Sequence, residues 1–178
     1  MFSFARVLAL GFVFTFVVQM AVSDAKAFEG DCHDGLKWTG SASSDGAGTA
    51  LLEACGANKP LAPLIFRCSA TQPNVQVSLP LIQKLPKMVR GPFPVSLYAN
   101  EANAGGGQTT TQVRLFQAMI EYTSGKGRLV FTIPRNDPLL NVYTTGSSGR
   151  VVAFAKSMDF HLQGAGDAIA EMRVGCGL

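Results

Sequence analysis

The sequence predicts a mainly β fold: an antiparallel β-sandwich with a short C-terminal helix, stapled by two disulfides. Three observations lead there. Short segments alternating apolar and polar residues recur through the middle of the chain, separated by glycine-, proline- and asparagine-rich turn signals. Four cysteines, an even number, stand singly along the sequence. The last stretch before the C-terminus spaces its apolar residues as a helix does.

The N-terminal stretch sets the compartment. "MFSFARVLALGFVFTFVVQMAVSDAKAF" opens with one basic residue, Arg6, continues as an apolar run from Val7 to Val22, and ends in Ala25-Lys26-Ala27. A short positive region, an apolar stretch and small residues at the two positions a signal peptidase reads predict a leader over residues 1–27, cleaved after Ala27. The run is shorter than the roughly 20 apolar residues of a membrane span, so the only membrane association expected is through the uncleaved leader. Residues 28–178 are then a single exported β-rich domain, periplasmic or secreted, long enough to bury a real core. Removing the leader takes Arg6, Lys26 and Asp24 with it and leaves a net charge of +2. No basic run or aromatic-interleaved Lys/Arg patch marks a nucleic-acid surface.

Within that domain the elements follow in order. Cys32 and Cys55 flank a Gly/Ser-rich segment, "GSASSDGAG", which reads as a loop. "PLIFRCS" reads as an early core strand carrying Cys68. "NVQVSL" alternates cleanly, with Val75, Val77 and Leu79 on one face and Gln76 and Ser78 on the other, and "PVSLYA", "TQVRLFQ", "RLVFTI" and "RVVAFA" repeat the theme. "KMVRGPFP", "NAGGGQ", "SGKG", "RNDP" and "GSSG" supply the turns between them. "DPLLNVYTTG" has an aspartate cap, a proline in first position and a closing glycine, which predicts one or two helical turns. "GDAIAEMRVGC" is the better helix, with Asp167 as its expected cap and Ile169 and Met172 on one face.

Two disulfides in an exported chain allow three connectivities. Locality favours Cys32 with Cys55, which leaves Cys68 for Cys176 and ties the final helix to an early strand. In the chain-entropy account a closed loop of about 100 residues stabilises by roughly 4 to 5 kcal/mol. Metal ligation is the competing use of cysteine, but it calls for close pairs, and only His33, beside Cys32, stands near enough to join a cluster. No metal and no cofactor are expected.

Chemistry is sparse. The chain has two histidines, His33 and His161, and no nucleophile elbow, phosphate-cradling glycine loop, His-Glu-x-x-His pair or dinucleotide fingerprint. In "MDFHLQG" alternation sets Asp159 and His161 on the face opposite Phe160 and Leu162, which predicts a solvated strand face; an acid–base dyad would look the same. Ser41, Ser43 and Ser44 are potential nucleophiles beside His33, but read as loop residues. Trp38 is expected in the core rather than as a sugar or partner anchor. Glu53, Glu101 and Glu121 are scattered. The segment "LPKMVRGPFPV" is the candidate binding loop, combining Lys87 and Arg90 with Met88 and Phe93, and its prolines equally suit a crossover between two sheets.

The order "PLIFRCSATQPNVQVSL", "RLVFTIPRNDPLL" and "MDFHLQGAGDAIAEMRVGC" resembles the periplasmic type VI secretion accessory proteins of the TagO/VasI type, over residues 63–176. "VSLYANEAN" stands where that family's Arg-x-Asp segment would be. The resemblance implies a Cys68–Cys176 staple and a noncatalytic envelope domain. The function expected is therefore an accessory or adaptor protein that binds another macromolecule, an envelope protein or a cell-wall component. An inhibitor of a cell-wall hydrolase, inserting "MVRGPFP" or "NAGGGQ", is the alternative, followed by a hydrolase using His161 and Asp159.

Overall fold

The computed structural model describes residues 27–56, 62–81, 91–101, 110–123 and 126–178. The proposed leader, apart from Ala27, lies outside them, as do Lys87, Met88, Arg90 and the whole "NAGGGQ" stretch. Among the described residues ten strands form one antiparallel sheet in the order β1-β2-β3-β4-β5-β8-β7-β6-β9-β10. They are β1 (Ala27–Glu29), β2 (Leu36–Ser43), β3 (Ala47–Ala54), β4 (Leu64–Ser69), β5 (Asn74–Pro80), β6 (Phe93–Glu101), β7 (Thr110–Thr123), β8 (Lys126–Pro134), β9 (Gly146–Ala153) and β10 (Lys156–His161). Helix α1 (Pro138–Thr145) lies between β8 and β9, and α2 (Ala165–Gly175) ends the chain.

β7 makes this sheet a sandwich. Its residues up to Ala118 pair with β6, whereas Met119 to Thr123 pair with β8. The strand therefore passes from one layer to the other, and the two layers are halves of one folded-over sheet. Aromatic side chains join them inside. Trp38 of β2 and Phe66 of β4 stack at 6.2 Å, Phe160 of β10 meets Trp38 at 6.3 Å, and Tyr143 of α1 touches both Phe66 and Phe160. Trp38 is fully buried, as expected, and its indole N–H donates to the His161 carbonyl at 3.0 Å. Burial pushes the Tyr143 phenol far above its ordinary pKa.

The Gly/Ser-rich segment is not a loop. It is the β2–β3 hairpin, turning at Ser44-Asp45-Gly46 with Gly46 at φ +81°. Its small residues serve packing, because α2 lies directly on this hairpin. A Cβ on Gly40 would fall 2.6 Å from the Ala168 carbonyl oxygen, and one on Gly48 only 1.9 Å from that of Met172. Glycine is what lets helix and sheet approach so closely. Likewise "GSSG" is the start of β9 rather than a turn, and the Cβ contact of 2.4 Å that Gly149 would make with the Phe160 ring explains its glycine.

Both helices form where the pattern puts them. Asp137 caps α1, its Oδ1 accepting the Leu139 N–H at 2.9 Å, and Pro138 opens the helix. α2 starts two residues before Asp167, behind Gly164 at φ +83°, without a side-chain cap. Asp167 instead lies in the first turn, where the helix dipole favours an acid. Ile169 and Met172 are fully buried. The disulfides are Cys32–Cys55 and Cys68–Cys176, with Cα separations of 6.2 and 5.9 Å. Two such bridges belong to a chain that matures in an oxidising environment. No helix among the described residues is long and apolar enough to cross a membrane.

Candidate functional site

Of the candidate binding residues in that loop, Lys87, Met88, Arg90 and Phe93, only Phe93 is described, and it is not a loop residue. It opens β6, is half-buried, and packs against Phe154 at 4.8 Å. The strands before and after that loop, β5 and β6, do lie in different layers.

Asp159 and His161 share a strand but not a partner. Asp159 is exposed and accepts from Arg150 of the neighbouring β9. His161 does not simply face solvent: it is half-buried, with Nε2 3.1 Å from the Leu36 carbonyl oxygen and its ring 5.2 Å from that of His33. The folding-over of the sheet brings the end of β10 against the start of β2, which period-2 alternation along one strand does not reveal. Among the described residues no hydrogen bond joins Asp159 to His161. Ser41 and Ser43 lie along β2 and Ser44 in its turn, at the opposite end from His33, which bridges to Leu36. No group of three His, Cys, Asp or Glu side chains able to hold a metal occurs among the described residues. A small apolar cavity of about 60 Å³ lies between the layers, lined by Leu79, Leu129, Val151, Phe154 and Met158. It is well below the roughly 300 Å³ at which small-molecule sites begin.

The surface that stands out is the outer face of β7, β6, β9 and β10. Alternation along β7 turns Ala118 and Ile120 inward and leaves Val113, Leu115 and Met119 outward, exposed by 50, 66 and 44 %. Cross-strand pairing extends the Val113 position into a row, Val113–Tyr98–Arg150–Asp159, across all four strands. The next row is polar and internally bonded: Thr111 Oγ1 donates to Asn100 Oδ1 at 2.7 Å, and Asn100 Nδ2 donates to Ser148 Oγ at 2.9 Å. Tyr98, Arg150 and Asp159 of the first row and the three residues of the polar row line a shallow cleft of about 480 Å³. An aliphatic strip thus runs beside an ordered polar cleft.

The outer face of the other layer is closed by contrast. Ile65, Ser78 and Val130 are nearly buried, and the Arg128 guanidinium donates to the Ser78 hydroxyl, the Ser78 carbonyl and the Ala62 carbonyl. Burial, with Arg67 close by, lowers the pKa of Arg128 from its usual value.

The β7 strip was missed in the sequence because "TQVRLFQAMIEY" is apolar on both faces. Val113, Leu115 and Met119 alternate with Phe116, Ala118 and Ile120, and a strand in one sheet layer has only one core to face. That double-sided pattern is the signal that an apolar face would be left outside.

Fold and surface together define a disulfide-stapled, mainly antiparallel β domain with one open, part-apolar sheet face. No family model, curated protein or solved structure matches the chain.

Proposed function

We propose that this protein is a noncatalytic, exported envelope domain that binds another envelope protein through the outer face of β7, β6, β9 and β10. Val113 and Leu115 carry the reading, with Met119 next along β7 where the strand has passed to pair with Val130 of the other layer. Single exposed apolar side chains are ordinary on a protein surface, but several along one strand face, rimmed by polar groups, match the composition of an interface. Tyr98 and Arg150, side-chain types enriched at interfaces, flank the strip. The two disulfides support an oxidising compartment, and the leader-like residues 1–27 support export. The resemblance to the TagO/VasI type supports an accessory role.

The test places a photo-crosslinking residue at Leu115 and another at Arg67, on the opposite layer, in the exported protein within intact cells. A discrete protein adduct from Leu115 but not from Arg67 is expected. The double variant Val113→Asp, Leu115→Asp should reduce capture of that partner at least tenfold with an unchanged denaturation midpoint. Equal adducts from both positions, or full capture by the double variant, would reject this face. Capture of glycan strands in place of a protein would move the partner to the cell wall.

A further inference from the structure

The chain has two histidines, and the fold brings them together from opposite ends. The turn at Asp34 and Gly35, with φ of 50° and 75°, folds His33 back over the start of β2. His33 and Leu36 exchange both backbone hydrogen bonds, at 2.7 and 2.9 Å. From the other layer β10 delivers His161 to the same place, so that the ring centroids lie 5.2 Å apart with the planes inclined by 68°.

The Leu36 carbonyl oxygen decides the chemistry of the seam. It accepts the His33 backbone N–H and lies 3.1 Å from His161 Nε2. A carbonyl only accepts, so Nε2 carries a proton, and the neutral His161 ring holds its lone pair on Nδ1. That Nδ1 and the Nε2 of His33 are both buried without a hydrogen-bond partner. Buried ring nitrogens are ordinarily satisfied, and two orphans in one seam call for an occupant.

The geometry points to a two-imidazole site for a divalent late-transition-metal ion, formed by His33 and His161 and taking Cu(II) most tightly. An imidazole nitrogen sits about 2.0 to 2.1 Å from such an ion, which puts the ring centroid roughly 3.2 Å away; two rings then have centroids roughly 5.2 Å apart at a tetrahedral angle and roughly 4.5 Å apart at the right angle of tetragonal Cu(II). The observed 5.2 Å meets the tetrahedral spacing, and a tetragonal Cu(II) ion would draw the rings together by about 0.7 Å. Donation from His161 to a backbone carbonyl is the outer-shell arrangement that fixes the tautomer of metal-binding histidines. His33 is anchored beside the Cys32–Cys55 bridge. Both residues are half-exposed, which leaves the remaining coordination positions to water. Cu(II) heads the affinity order of divalent ions for nitrogen donors. With two protein ligands the ion is exchangeable, unlike the four-ligand ions that hold small domains together.

The experiment titrates the exported, disulfide-bonded and metal-free protein with Cu(II) and with Zn(II), following uptake by equilibrium dialysis and the copper-loaded form by electron paramagnetic resonance. One Cu(II) per chain is expected, bound more tightly than Zn(II), with hyperfine splitting from imidazole nitrogen. His33→Gln and His161→Ala should each weaken Cu(II) binding at least tenfold, and circular dichroism with intact disulfides should show that the fold survives. Should His161→Ala fail to fold, His33→Gln, at a surface turn, decides alone. Copper affinity unchanged in His33→Gln, or a spectrum with no imidazole nitrogen, overturns the site. Absence of uptake by the unmodified protein does the same and leaves a bridging water as the occupant.

Discussion

Gly48→Ala tests the seating of the C-terminal helix. In an unobstructed strand this change would stabilise slightly, by about 0.4 to 1 kcal/mol, because alanine restricts the unfolded chain. Here the new methyl would lie 1.9 Å from the Met172 carbonyl oxygen and 2.7 Å from its carbon. Reaching ordinary contact at 3.4 Å requires α2 to retreat by about 1.5 Å, against backbone that cannot turn aside as a side chain would. Ile169 and Met172 would lose close packing, and the retreat pulls on Cys176, which is tied to Cys68. Overpacking of this kind costs about 1 to 3 kcal/mol, and the backbone clash places Gly48→Ala at the upper end, about 3 kcal/mol. Trp38, the single tryptophan and fully buried, reports the unfolding by fluorescence. With a urea slope of about 2 kcal/mol per molar, the midpoint should fall by roughly 1.5 M. Gly40→Ala, whose methyl would meet Ala168 at 2.6 Å, should fall by less. A midpoint that rises or stays constant in Gly48→Ala would refute the close seating of α2 on this hairpin.

Removing the long bridge should cost more than removing the short one. With sequence separations of 108 and 23, Cys176→Ser is expected to lose about 5 kcal/mol and Cys32→Ser about 3.5 in denaturant titrations, and the reverse order would contradict the loop-entropy account. Ala155→Gly should stabilise by about 1 kcal/mol, because Phe154 and Ala155 turn the β9–β10 hairpin with φ of 52° and 57°, where glycine carries no steric penalty. A lower melting temperature for Ala155→Gly would argue against that turn. His161→Ala should cost about 1 kcal/mol through loss of the Leu36 contact, whereas Asp159→Ala, whose pair with Arg150 is exposed, should leave the midpoint unchanged; equal effects would mean that His161 is no more embedded than Asp159.

The sequence by itself determined the strands of the central region, both helices and a defensible cysteine pairing. "NVQVSL" needs only one buried face to alternate, and Asp137-Pro138 caps a helix through atoms two residues away, so such features are written in local order. "GSASSDGAG" could not be read that way. Its glycines look like loop residues until α2, from the far end of the chain, is laid upon them, and only then does the missing Cβ become a condition of packing. The same holds for the sites. Tertiary structure decided which face of β7 was left outside, because that strand passes from one layer to the other and its two apolar faces compete for a single core. It also decided that His33 and His161 meet, since their contact crosses the seam between β2 and β10. Local periodicity records which residues share a face; which faces are then covered depends on contacts between residues far apart in the chain, and these leave no spacing to read.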